Sequence, residues 1–272
     1  TIDFGYPDVE EVSHENTVNN YLESCDGKIN DESIVIAYTN AEVAAYNRRI
    51  REDFFPNSSE ITDGDKVMAV RNSNAYGFFI YNGDFCITKE ILSSTECRDI
   101  TLRSKDKESN KVKELTISLK FREILIEFKE FNDKVHLVKV KIIENLLYSD
   151  YPKLSSDENK ALYIDFCIRH PQLKPNSLEF KETLKSDPYF NALQAKFGYA
   201  ITCHKSQGSE WNHVFVDCKT RQQRLSAGYF RWFYTAMTRT SNKLYLMDPP
   251  FYPLGGGLKP VPDPSNTDWG EV

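Results

Sequence analysis

The sequence predicts a mixed α/β fold into which a β-rich segment is inserted. A short apolar run at 33–38 leads without a gap into a helix-type pattern. Between 61 and 145 this strand-and-helix pattern is replaced by short β-type runs that are separated by turn signals. Strand-type and helix-type segments alternate again from 199 to 247. Such alternation at both ends of a chain is typical of a parallel sheet covered by helices.

The first α/β unit is defined by a strand and a helix start. Residues 33–38 (SIVIAY) are apolar and β-branched, as expected of a buried strand. Thr39 followed three residues later by Glu42 forms a capping-box pattern, which predicts that a helix begins here. Towards the other end we expect strands at 199–202, 213–217 and 243–247 and a mainly helical segment at 221–239.

The inserted segment is predicted to be a small barrel with attached helices. Its runs at 65–70, 85–92, 97–103, 112–121 and 134–143 have the length and spacing of barrel strands. Asn82-Gly83-Asp84 is typical of a hairpin turn, and 105–111 and 131–133 are predicted to be a polar loop and a turn. Helices are expected at 155–169, where Ser155 and Glu158 repeat the capping-box pattern, and at 177–186.

Composition limits the possible classes only loosely. The 272 residues are 40% hydrophobic, enough for one large domain or two small ones, and the net charge of −6 neither indicates nor excludes nucleic-acid binding. The six cysteines show no C-x-x-C spacing, which favours reduced thiols in a cytoplasmic protein. We find no membrane-spanning run and no signal peptide, and a first residue other than Met suggests a fragment.

Several segments form a specific pattern because they occur together in a fixed order, whereas any one of them alone would be a weak signal. These are 36–40 (IAYTN) followed by Asn47, 64–68 (GDKVM), 81–84 (YNGD), 200–211 (AITCHKSQGSEW) and 233–239 (FYTAMTR). The first resembles motif IV of superfamily 1 DNA helicases, and the last two closely resemble motifs V and VI. The segments between them look like the start of the inserted barrel in the C-terminal region of RecD, Dda and UvrD-like helicases.

The resemblance implies a domain arrangement. It predicts a recA-like parallel-sheet motor domain (2A) from 1–60 and 190–250, with a Src-homology-3-like barrel and its helices (2B) inserted at 61–189. The proline- and glycine-rich residues 251–272 are predicted to be an irregular tail. The chain would be the C-terminal part of an ATP-dependent DNA helicase, and kinship with RecD and Dda implies 5′-to-3′ movement.

Motif VI supplies the candidate catalytic residue. The resemblance places Arg239 at the γ-phosphate of ATP, where a permanently charged, planar guanidinium matches phosphate oxygens. Such an arginine stabilises charge in phosphoryl transfer. An arginine favoured by the dipole at a helix C-terminus is the alternative interpretation. Among nucleotide-binding candidates, Glu210 would lie near the ribose and Gly208 would allow a tight turn, whereas Tyr38 could face nucleotide or core.

Motif V supplies most candidates for binding single-stranded DNA: Thr202, His204, Lys205 and Ser206. Hydroxyl and backbone N–H groups are common donors to phosphate oxygens, and a lysine adds salt-dependent attraction. Asn40 is predicted to contact DNA or to cap its helix.

Two groups of side chains have a structural interpretation as well as a functional one. The basic residues of motif IV fit a solvated helix face as well as a ligand site: Arg48, Arg49 and Arg51. The aromatic residues of motif VI are expected to pack the helix against the sheet rather than to stack on a base: Trp232, Phe233 and Tyr234.

The sequence lacks the G-x-x-x-x-G-K-[ST] loop that cradles phosphates. The family places this loop in a preceding recA-like domain, which would be the chain's partner and would hold most of the ATP and Mg²⁺. We therefore predict that the chain alone does not hydrolyse ATP. The histidines show no metal-ligand spacing, so no metal site is predicted.

Two other functions stay open from the sequence. One is a module without catalytic activity that binds single-stranded DNA or a protein. The other is a RecD-like subunit of an exodeoxyribonuclease, within a repair or recombination complex, although no cluster of acidic residues suggests nuclease chemistry of its own.

Overall fold

The computed structural model describes residues 2, 4–105, 112–129, 134–220, 224 and 226–251. The predicted turn at 131–133, the predicted tail from 252 onward and all but the first residue of the predicted loop at 105–111 lie outside these ranges. The chain forms two compact units, one from Thr1–Ser59 with Gly198–Val272 and one from Glu60–Phe197.

The elements follow the chain in this order: β1 (Val9–Glu11), α1 (Thr17–Ser24), β2 (Ser33–Ala37), α2 (Asn40–Phe54), β3 (Lys66–Ala69), β4 (Phe85–Ile91), β5 (Glu96–Lys105), β6 (Val112–Lys129), β7 (Val135–Ile143), α3 (Glu144–Leu147), α4 (Ser156–Arg169), α5 (Leu178–Ser186), β8 (Ala195–Phe197), β9 (Ala200–Thr202), β10 (Trp211–Asp217), α6 (Ala227–Met237) and β11 (Thr240–Met247).

The first unit contains a parallel sheet, which confirms the predicted α/β class. Its strand order is β1-β11-β10-β2-β9, and each neighbouring pair is parallel. All residues of β2 are buried, which explains its uninterrupted apolar run. Because the strands are parallel, β2 and β9 end at one edge of the sheet, where Ala37 pairs with Thr202. In the helicase resemblance, this edge carries motif IV and the start of motif V.

The start of α2 is fixed by the predicted capping box. The backbone N–H of Glu42 donates to Oγ1 of Thr39 at 3.2 Å, and the N–H of Thr39 donates to Oε2 of Glu42 at 2.8 Å. Thr39 is therefore the helix cap. The interpretation of Asn40 as the cap is wrong, since Asn40 is already the first helical residue.

The second unit contains an antiparallel sheet in which successive strands are hydrogen-bonded to one another in a closed ring. Strand β3 pairs with β4, β4 with β6, and β6 with β7. The N–H of Leu193 donates to the carbonyl of Lys141 in β7 at 2.7 Å, and Leu193 leads into β8, which pairs with β3. A small barrel requires such a ring of paired strands. The Src-homology-3-like class stays a prediction.

The observed elements differ from the predicted ones in four ways. Residues 190–197, predicted to belong to the recA-like part, lie in the second unit, because β8 pairs with β3. Strand β6 is longer than the predicted 112–121, because its second half pairs with β4 and β7. The helical segment predicted from 221 begins at Ala227, and α1, α3, β1 and β8 were not predicted.

An ion-pair network joins the helices of the second unit to β5. Asp165 of α4 accepts from Nε of Arg98 at 2.6 Å and from Nε of Arg169 at 2.8 Å. The other guanidinium nitrogens of Arg169 reach both carboxylate oxygens of Asp187, just after α5. The two aspartates are 1% and 4% exposed, so this network ties buried charges together across three elements.

All six cysteines are free thiols, and Cys97 alone among them is exposed. In the ranges that the structure describes, no helix is both long and apolar enough to cross a membrane.

Candidate functional site

Residues 202–210, here called the 202–210 turn, form a tight helical turn after β9. The carbonyl of Thr202 accepts the N–H groups of Lys205 at 2.9 Å and Ser206 at 3.2 Å. Gly208 has φ +84°, a left-handed conformation that glycine adopts without steric cost. The chain then enters β10 at Trp211, so the turn connects the carboxyl end of one strand to the amino end of another.

The side chains of this turn differ in exposure. His204 and Glu210 are exposed, whereas Thr202 and Lys205 are half-buried. Burial lowers the pKa of Lys205 below its ordinary value, because the ammonium loses water. Ser206 is fully buried, and its hydroxyl donates to the carbonyl of Cys203 at 2.8 Å. In this conformation the predicted contact of the Ser206 hydroxyl with DNA is not available, because that hydroxyl holds the turn together.

The candidate catalytic Arg239 lies beside the end of the 202–210 turn. Its carbonyl accepts the N–H of Trp211 at 2.9 Å, and its Nη1 lies 3.4 Å from the carbonyl oxygen of Ser209. The remaining guanidinium bonds go to the carbonyl of Thr235 (3.0 Å) and to Oγ1 of Thr238 (3.1 Å). The bond to Thr235 is of the kind that the helix C-terminus interpretation expects.

The positive charge of Arg239 has no negative partner in the part of the chain that the structure describes. All its hydrogen bonds end on neutral carbonyl or hydroxyl oxygens, and the side chain is half-buried. Neutral oxygens orient a guanidinium without cancelling its charge. This is the condition under which an arginine can bind a phosphate group.

The 202–210 turn spans the sheet from edge to edge. Thr202 lies at the carboxyl end of β9, level with the end of β2, whereas Trp211 and Thr240 pair at the amino ends of β10 and β11. At about 3.3 Å per strand residue, the two edges are roughly 20 Å apart. The strand-binding candidates therefore lie near one edge, and the nucleotide-binding candidates Gly208 and Glu210 lie towards the other, beside Arg239.

Trp232 of α6 connects the three motif segments. Its ring meets Tyr38 edge to face, with centroids 5.7 Å apart and planes at 74°. Its carbonyl lies 3.5 Å from Sγ of Cys203, in the 202–210 turn. Trp232 and Phe233 are buried, as predicted, but Tyr234 is 66% exposed. The packing prediction for Tyr234 is wrong, because this residue is on the outer face of the helix.

In motif IV the basic residues separate into two environments. Arg48 and Arg49 are exposed on α2. Arg51 is 5% exposed, and its Nη1 donates to the carbonyl of Ser58 at 2.8 Å, which gives it a structural role. Tyr38 and Asn40 are half-buried at the edge where β2 ends.

Asn47 is a buried residue of the site that has no predicted role. It is 4% exposed and hydrogen-bonds to the backbone of β9. Its position in the sequence could have indicated its burial, because helical spacing places it on the same face of α2 as Val43 and Ile50, which are apolar and buried.

Substituting alanine for Gly208 is expected to impair the site mainly through the backbone. A Cβ at this position meets nothing within 4 Å, so the cost is the left-handed φ, about 1–2 kcal/mol. We expect the variant to fold, with weaker binding of single-stranded DNA measured by fluorescence anisotropy. Gly77→Ala is the matched control, since Gly77 has the same φ and the same open space, but in the other unit. Equal loss of binding in both variants would speak against a local effect.

Comparison with known proteins supports part of this interpretation. Residues 197–247 match the family model of the UvrD-like helicase C-terminal domain. No curated protein matches the chain. The described residues contain no group of three or more His, Cys, Asp or Glu that could hold a metal ion.

Among solved structures, the chain is similar to a Pif1 helicase from Candida albicans, with 12% identity, a TM-score of 0.39, and coverage of 86% of this chain and 49% of that one. A Pif1 helicase from Bacteroides in complex with ADP-AlF3 and ssDNA gives 14% identity, a TM-score of 0.35, and coverage of 86% and 47%. The chain thus spans about half the length of these structures. Over residues 197–247 the similarity to a UvrD-like helicase C-terminal domain is confirmed, and with it the resemblance to superfamily 1 helicases that motifs V and VI predict.

Proposed function

We propose that the chain is the C-terminal part of a superfamily 1 DNA helicase of the RecD/Dda type, moving 5′-to-3′ on single-stranded DNA. The first unit would be motor domain 2A and the second unit would be domain 2B. A preceding recA-like domain of the same protein would carry the phosphate-binding loop and the ligands for Mg²⁺, so that the chain alone would bind DNA without hydrolysing ATP.

The observation that carries this proposal is the environment of Arg239. A half-buried guanidinium with neutral partners, next to the turn of Gly208, fits the γ-phosphate of ATP. When bound, the triphosphate supplies the phosphoryl group to be transferred to water. Arg239 would stabilise the developing charge, and Glu210 would accept hydroxyl hydrogens of the ribose. Tyr38 follows β2 at the opposite edge of the sheet and is not included in this nucleotide site.

The edge of the sheet at which β2 and β9 end would hold the DNA strand. Thr202 offers a hydroxyl, Lys205 an ammonium and His204 an exposed ring, all within the first residues of the 202–210 turn. Asn40 lies at the same edge, at the start of α2, with a half-buried amide. Hydroxyl, amide and ammonium groups at one edge are suited to a sugar–phosphate backbone. The 202–210 turn would then join the strand site to the nucleotide site.

A direct test is equilibrium binding of the 272-residue chain to a fluorescein-labelled oligothymidylate and to a duplex of the same length. We expect tighter binding to the single strand, with an affinity that falls as salt rises, because phosphate contacts release counterions. Equal affinity for both forms, or no binding, would overturn the strand-binding part of the proposal.

Lys205→Ala is expected to weaken binding to the oligothymidylate and to lower the slope of log K against log salt by about 0.7, the value for one phosphate contact on a single strand. The measurement is a salt titration by anisotropy. Lys28→Ala is the control, since Lys28 is exposed and precedes β2, at the opposite edge of the sheet. An unchanged slope in Lys205→Ala would exclude this contact.

A further inference from the structure

Asn47 makes three hydrogen bonds from the buried side of α2, two to the first residue of β9 and one to the residue before it. Its Nδ2 donates to the carbonyl of Ala200 at 3.0 Å. Its Oδ1 accepts the N–H groups of Tyr199 at 2.8 Å and Ala200 at 2.9 Å. Ala200 is 1% exposed, so without Asn47 its backbone N–H and carbonyl groups would lose these hydrogen bonds in a buried position.

Strand β9 needs this support because it is a short strand at the end of the sheet. It has three residues, and among the strands that the structure describes it pairs with β2 alone. On that side the carbonyl of Tyr199 accepts the N–H of Val35 at 3.1 Å. On the other side the carboxamide of Asn47 presents one donor and one acceptor to Ala200, as the peptide group of a further strand would.

We propose that Asn47 is a positioning residue for the 202–210 turn. It fixes the backbone at Ala200, two residues before Thr202, and so determines the direction in which the turn leaves the sheet. Asn40 lies on the same helix, so α2 would hold both halves of the strand site in one geometry. This inference rests on the proposed function, because it assigns a role within the same strand-binding edge.

A positioning role differs from general stabilisation in what is lost when Asn47 changes. Loss of core packing weakens the first unit as a whole, whereas loss of these hydrogen bonds loosens the end of β9 in particular. Asn47→Asp has nearly the same shape and keeps an acceptor for Tyr199 and Ala200. It cannot donate to the carbonyl of Ala200, and it places a second oxygen against that carbonyl.

The control variant is Ile50→Val. Ile50 is fully buried on the same helix, so removing one methylene lowers stability without removing a hydrogen bond to β9. Both variants of the 272-residue chain are titrated with labelled oligothymidylate, and the amide hydrogen exchange of Lys205 and Ser206 is followed. These two amides report on the turn, since they donate to the carbonyl of Thr202.

We expect Asn47→Asp to raise the Kd at least about tenfold and to speed exchange of both amides. Ile50→Val is expected to change the Kd by less than about twofold. Wild-type affinity and exchange in Asn47→Asp would overturn the inference, as would an equal rise in Kd for Ile50→Val. Should the wild-type chain fail to bind the oligonucleotide, the proposed function fails, and the exchange of Lys205 and Ser206 still decides whether Asn47 holds the turn.

Discussion

Replacing Arg239 by alanine in the full-length gene product is expected to lower DNA-stimulated ATP turnover at least about 100-fold. The reason is electrostatic. The guanidinium is oriented by neutral oxygens of Ser209, Thr235 and Thr238, so in the proposed mechanism its full charge would be available to the phosphoryl group in the transition state. Lysine at this position keeps the charge but loses the planar fork, so Arg239→Lys is expected to recover only part of the activity.

Folding should change little in Arg239→Ala. The side chain is half-buried, and its hydrogen bonds are to groups near the surface, for which the net loss is about 1 kcal/mol per bond or less. Thermal unfolding of the variant should therefore stay close to that of the wild type. A large fall in turnover with a small change in stability is the pattern expected of a residue that acts in the transition state.

Arg231→Ala is the matched control for this measurement. Arg231 lies on the same helix α6 and is exposed. We expect its removal to leave turnover within about twofold, since an exposed surface charge distant from the reacting atoms contributes little. Unchanged turnover in Arg239→Ala, or an equal loss in Arg231→Ala, would remove Arg239 from the proposed mechanism.

Local sequence signals predicted the elements whose cause is itself local. The capping boxes of Thr39 with Glu42 and of Ser155 with Glu158 form as expected, because each involves only four consecutive residues. Strands β1 and β8 were missed for the opposite reason. Each has three residues and exists because of a partner far along the chain, β11 in one case and β3 in the other.

The candidate site also has features that a local pattern predicts and features that depend on distant parts of the chain. The motif segments mark which stretches of chain meet, but the roles of single side chains depend on packing between them. Ser206 and Gly208 are two residues apart, yet one is sealed inside the turn and the other lies exposed at a left-handed φ. The proposed role of Asn47 depends on β9, more than 150 residues away in sequence, so the helical spacing of α2 can indicate that Asn47 is buried but not what it binds.

Removing the carboxylate of Asp187 is expected to give the largest loss of stability in the second unit. Asp187 accepts both terminal nitrogens of Arg169 and the N–H groups of Tyr189 and Phe190. In Asp187→Ala the half-buried guanidinium would keep its bond to Asp165, but both of its terminal nitrogens would lose their carboxylate partner. Breaking one partner of such a buried pair costs about 3–5 kcal/mol. The measurement is urea unfolding followed by far-ultraviolet circular dichroism.

Asp157→Ala is the control, because it also removes one negative charge but leaves the buried network intact. Asp157 belongs to the same region but pairs with Lys160 on the surface, and such pairs contribute about 0–1 kcal/mol. No tryptophan lies between 60 and 197, so tryptophan fluorescence reports on the first unit alone and serves as an internal reference. Similar urea midpoints for the two variants would contradict the role assigned to the network.

The contribution of Asp187 should also depend on pH, with a sign fixed by its pKa. Burial alone would raise the pKa of Asp187, but hydrogen bonds from Arg169 and from the backbone of Phe190 outweigh it, and the pKa is lowered. A carboxylate with a lowered folded-state pKa stabilises the fold fully above its unfolded pKa, about 3.9, and loses that effect as pH falls through the folded pKa. The stability difference between wild type and Asp187→Asn should therefore shrink as the pH falls below about 4. A difference that stayed the same or grew as the pH fell below about 4 would mean that Asp187 is not held as a carboxylate by Arg169.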